Sequence, residues 1–126
     1  MDPVTIESNR KYKVVLYQKD IPVFIDYLDK IIQEDFNSNN EHYLYILKLY
    51  KKLKKKDKEK DISLSFTFHQ FVSVFSYIPN IEDHFSDSVP KEIEDIIDRW
   101  GIYFSLASER VSKALSKVLS EEDLMD

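Results

Sequence analysis

An all-α fold, a single bundle of four to five helices packed on one long C-terminal helix, is what this sequence predicts, and three observations carry the prediction. One glycine in 126 residues is far below ordinary usage, whereas β-rich folds spend glycine on hairpins and bulges. Apolar residues recur three and four apart from about 90 to 119, the period of one helix face. The chain is 43% apolar and 13% aromatic with only four prolines, a composition that builds a core rather than a disordered coil. The length suits one domain, so residues 1–126 are read as a single helical unit.

The N-terminal stretch admits two readings. Val4 and Ile6, then Tyr12, Val14 and Leu16, alternate as a strand does, while Asp2-Pro3 suits the start of a helix. A short strand at 12–17 stays open; a strand pair is not expected, for want of glycine turns. Asp20 then fits an N-cap with Pro22 in the first turn. Ile21, Phe24, Ile25, Leu28, Ile31 and Ile32 form one apolar face, and Asp26, Asp29, Lys30 and Gln33 form the other. The polar run 36–40 reads as a loop, and Ser38 with Glu41 as a capping box for a third helix carrying Tyr43, Leu44, Ile46, Leu47, Leu49, Tyr50 and Leu53.

Residues 48–61 are lysine-rich and read as a solvated helix end and linker. Ile62 to Phe68 alternates, yet Phe68, Phe71, Val72, Phe75 and Ile78 recur at helical spacing. The expected element is a helix from about 66 to 78, capped by Thr67 or Ser65 and stopped before Pro79, with a loop from Pro79 to Val89 after it.

The long helix has Asp87 or Ser88 as cap and Pro90, Glu92, Glu94 and Asp95 at its start, where negative charge is favoured. Ile93, Ile97, Trp100, Phe104, Ala107, Val111, Ala114 and Val118 form its seam, and the acidic tail 120–126 is expected to fray. Around Trp100 the helix is apolar on nearly every side, with Ile102 and Leu106 opposite the seam. The plainer expectation encloses that face within the fold, roofed by the 66–78 helix; the other makes it a partner or dimer face, with Gly101, Ser105 and Ser108 permitting close approach.

Composition also narrows function. Absence of cysteine excludes disulfides and thiolate chemistry and fits a reducing compartment; no apolar run is long enough to span a membrane, so the expected location is cytoplasmic. A single glycine rules out the common phosphate-binding loops, and neither a nucleophile with its base nor a carboxylate pair stands out, so no enzyme and no cofactor is expected. The histidines His42, His69 and His84 share no zinc-type spacing, and His84 beside Glu82, Asp83 and Asp87 is at best a weak site; no metal is expected.

Charge is uneven: residues 1–61 hold thirteen basic and eleven acidic groups, residues 62–126 five and twelve. An acidic face of Glu82, Asp83, Asp87, Glu94, Asp95 and Asp98 would attract a basic protein. The leading expectation is therefore a non-catalytic protein-binding module of the inhibitor, immunity or accessory type common among small bacterial and phage proteins. Two alternatives stand behind it. One is a homo-oligomeric assembly factor meeting its copy through Gly101, Ile102, Ser105 and Leu106. The other is a nucleic-acid accessory protein using the run Lys48 to Lys60, with Lys51, Lys52, Lys54 and Lys55 as candidate contacts, against which stand the acids that interrupt the run and the scarcity of arginine.

Overall fold

The computed structural model describes residues 2–34, 40–84 and 90–125, the side chains of 78–84 and 121–125 excepted. Among these residues five helices and two strands follow one another as α1 (Pro3–Asn9), β1 (Tyr12–Leu16), a 3₁₀ turn (Gln18–Asp20), α2 (Ile21–Glu34), α3 (Glu41–Lys55), β2 (Ile62–Phe66), α4 (Phe68–His84) and α5 (Lys91–Met125). The fold is the expected helical bundle with a long C-terminal helix, to which a two-stranded sheet is added. Among the described helices, none is long and apolar enough to cross a membrane.

Both N-terminal readings are realised. Asp2 caps α1, its carboxylate accepting from the Thr5 amide at 2.8 Å, and Pro3 takes the first helical position where no amide partner is needed. Tyr12–Leu16 then forms β1, which pairs antiparallel with β2 in the register Tyr12 to Phe66 through Leu16 to Ile62. The expectation against a strand pair is corrected here. No tight turn joins these strands, because α2 and α3 intervene, so no glycine is called for. Alternation does the rest: Tyr12, Val14, Leu16, Ile62, Leu64 and Phe66 face the core, while Lys13, Ser63 and Ser65 face water.

α2 packs on α3, α3 on α4, α4 on α5, and α2 closes the ring against α5, while α1 packs on α5. Local signals set the helix starts. Asn40 caps α3, accepting from the His42 amide at 2.7 Å; Ser38, expected in that role, lies outside the described residues. Asp20, expected to cap α2, instead closes the 3₁₀ turn, is buried, and has its carboxylate 3.6 Å from the Arg99 guanidinium.

Thr67 and Gln70 form a reciprocal capping box for α4, Gln70 amide to Thr67 hydroxyl at 3.3 Å and Thr67 amide to Gln70 carbonyl oxygen at 2.9 Å. The helix expected from 66 therefore yields its first residue to β2. It also runs through Pro79 to His84 rather than stopping, although the proline removes the hydrogen bond to the Phe75 carbonyl. At the other end α5 continues through the tail that was expected to fray, as far as Met125.

One contiguous core joins both strands with α2, α3, α4 and α5. Trp100 sits in its middle, edge-on to Phe24 at 5.3 Å and tilted against Phe66 at 5.6 Å. The α4–α5 contact is an aromatic layer in which Phe104 stacks on Phe75 at 5.0 Å and on Phe71 at 6.0 Å, with Phe68 tilted beside it at 6.1 Å.

Candidate functional site

The α5 seam is placed as its spacing requires: Ile93, Trp100, Ala107 and Ala114 are buried, Ile97, Phe104, Val111 and Val118 half-buried, and Ile96 joins them. The opposite face is where expectation and structure part. Ile102 is 70% exposed, Tyr103 40% and Leu106 37%. α4 approaches α5 from the Phe104 side and does not roof Ile102 and Leu106, so the enclosed-core reading of that face is corrected. A branched aliphatic side chain held in water on a rigid helix stabilises nothing in the folded monomer, and such groups clustered together mark contact surfaces.

This face borders a groove of about 290 Å³ between α5 and β1, whose walls include Lys13, Val15, Tyr17, Arg99, Ile102 and Tyr103. Its geometry is fixed from below. The Trp100 indole donates to the Val15 carbonyl at 3.3 Å, tying α5 to the strand, and the Arg99 guanidinium lies over the Tyr17 ring at 4.7 Å while reaching the buried Asp20 carboxylate. The Arg99 Nη2 atom is itself buried, 3.6 Å from Asp20 Oδ2, and makes no hydrogen bond among the described residues.

Acidic groups flank the patch. Glu94, Asp95 and Asp98 are exposed on α5, and helical spacing puts Asp95 and Asp98 on the turns just before Ile102, on its side of the helix. Past Leu106, Glu109 pairs with Lys113 at 2.9 Å, and that hydrogen bond holds its carboxyl below the usual range. Of the other acids expected on this surface, Glu82 and Asp83 belong to the α4 backbone but their side chains, like Asp87 as a whole, lie outside the described residues.

Gly101 and Ser105 line the flank with Ser108. Beyond its own helix backbone and chain neighbours, a methyl group at Gly101 would meet no described atom within 4 Å, so no packed neighbour in the described fold uses its smallness.

The lysine run divides. Lys51, Lys52 and Lys55 line a shallow groove on α3 with Lys48, Leu44 and Leu47, whereas Lys54 turns the other way, its ammonium over the Tyr50 ring at 5.2 Å and donating to that hydroxyl at 3.3 Å. Lys56 to Lys60 fall in the turn leading to β2 and are exposed.

Sequence spacing missed one cluster. α3 and α4 start side by side, which brings Glu41, His42 and His69 together with ligand-capable atoms within 4.8 Å of one another. The signal was present only as two histidines near two helix starts, and it takes the packing of α3 on α4 to connect them. Comparison with protein-family models, with curated proteins and with solved structures finds no match.

Proposed function

We propose that the chain is a non-catalytic protein-binding module, of the inhibitor or immunity kind, that docks a basic partner through the outer face of α5. The observation that carries this reading is the exposure of Ile102, with Tyr103 and Leu106 beside it, on a helix whose other face is locked into the core. Apolar anchors supply the area, and Glu94, Asp95 and Asp98 form an acidic rim that raises the encounter rate of a positively charged surface and rejects an acidic one.

The test is cross-linking capture from the source cells with the tagged chain, at low and raised salt, beside the Ile102→Glu/Leu106→Glu variant. A basic protein should be captured by the wild type, weakened by salt and lost with the variant. Capture that ignores the variant, or none at either salt, contradicts the reading.

The same exposed face favours one second reading, a homodimer, since a small-residue flank of Gly101, Ser105 and Ser108 beside apolar anchors suits a second copy of α5. Sedimentation equilibrium decides between them: a wild-type dimer that Leu106→Glu converts to a folded monomer selects self-association, and a wild-type monomer removes it.

A further inference from the structure

We propose that Glu41, His42 and His69 form a binding site for a divalent transition-metal ion of the zinc class. Two imidazoles and a carboxylate are the ligand set that borderline ions such as Zn²⁺ take when a coordination position is left open. Here the three residues come from the starts of two packed helices, with one ligand-capable atom of each within 4.8 Å of the others. The His69 Nε2 atom is already 3.6 Å from a Glu41 carboxylate oxygen, close to the separation of two ligands on one tetrahedral ion. Both of these side chains are largely exposed, so rotation about their own χ angles can close the remaining distance without moving the backbone.

A second, independent feature lies behind the cluster. The Ser73 hydroxyl is buried, donates to the His69 carbonyl at 3.3 Å, and lies 2.8 Å from His42 Nδ1. A hydroxyl has one proton. Both contacts are satisfied together only when His42 Nδ1 donates, which places the imidazole proton on Nδ1 and leaves the lone pair on Nε2. Metal-ligating histidines are held in the same way, by an acceptor on the nitrogen that does not bind the ion.

One effect opposes loading. The cluster sits at the positive ends of two helices, where a cation is disfavoured. That term is a fraction of the strength of a coordinate bond to imidazole, and the Glu41 charge acts against it. Loading would pin the first turn of α3 to the first turn of α4 and leave a position for water or a partner's carboxylate or imidazole. None of this depends on the α5 face, so the two proposals fail independently.

The experiment is calorimetric titration of the full chain with ZnCl₂ in a non-chelating buffer, repeated with Co²⁺ to read the ligand field by absorption. One ion per chain should bind, and the melting temperature should rise with free zinc, because only the folded chain assembles the site. His42→Gln and His69→Gln should each weaken binding by about 10–100-fold or more, and Ser73→Ala, which removes the acceptor on His42 Nδ1 together with the bond to the His69 carbonyl, should fall within that range. Where Ser73→Ala disturbs the far-UV spectrum, Glu41→Gln at the surface replaces it. Binding in His84→Gln should equal wild type. Absence of saturable zinc binding, binding undiminished in either of the first two variants, or binding lost in His84→Gln would each overturn the proposal.

Discussion

Replacing Trp100 by alanine should be the most damaging single change on α5. The side chain is 2% exposed, meets Phe24 and Phe66 at ring distances of 5.3 and 5.6 Å, and holds the Val15 carbonyl of β1 through its indole. Truncating a buried Trp removes its transfer free energy and leaves a cavity, together about 3 to 5 kcal/mol. The abandoned Val15 carbonyl adds about 1 kcal/mol. Against a total stability on the order of 5 to 15 kcal/mol, the variant would be folded but close to its limit. Trp100→Phe separates the two contributions, since it keeps most of the ring contact and loses the donor; it should cost about 1 to 2 kcal/mol. Urea unfolding followed by far-UV circular dichroism is the assay, because the substitution removes the chain's only Trp and with it the fluorescence signal. The dependence on urea should be unchanged, so that the midpoint alone shifts. A loss below about 1 kcal/mol in Trp100→Ala would mean that the seam of α5 is not where the core lies.

Three further outcomes are expected. Gly101→Ala should stabilise the chain by about 0.5 to 1 kcal/mol in the same assay, because the position is helical and the added methyl meets open space; destabilisation would reveal a neighbour at that surface. Thr67→Ala should cost about 1 kcal/mol through loss of the α4 capping box, and a cost near zero would show that Gln70 alone suffices. Tyr45 is half-buried and burial pushes its hydroxyl up to about 12. The unfolded chain, with tyrosine near 10, therefore ionises first, so this contribution to stability is complete below about pH 10 and is lost as pH rises towards 12. Tyr45→Phe should flatten the alkaline decline measured by urea midpoints, and parallel declines in the two proteins would place its cause elsewhere.

The helices were legible wherever one face is apolar and the other polar, as in α2 and α5, because burial and period then carry the same message. The strands were half legible. Alternation at Tyr12–Leu16 and Ile62–Phe66 is plain, but their pairing spans two intervening helices and follows from packing rather than from any local turn. At Thr67 two periods overlap, since Phe66 completes the strand face and Phe68, Phe71 and Phe75 begin the helical one. Asp20 shows the limit of local rules: an acid before an apolar run reads as a cap, and only Arg99 on α5 explains its burial. Pattern also placed Ile102 and Leu106 opposite the seam, yet which elements cover a face depends on the direction from which α4 approaches. The Glu41, His42 and His69 cluster is of the same kind, written on two helices and joined only by their contact.

Helix α5 is core on one side and open on the other. Urea unfolding of the Ile102→Glu/Leu106→Glu variant tests it most directly. A folded, helical protein that loses no more than about 0.5 kcal/mol per site is expected, as for surface substitutions. Loss of several kcal/mol, or failure to fold, would mean that two carboxylates had been placed in a core and would contradict it.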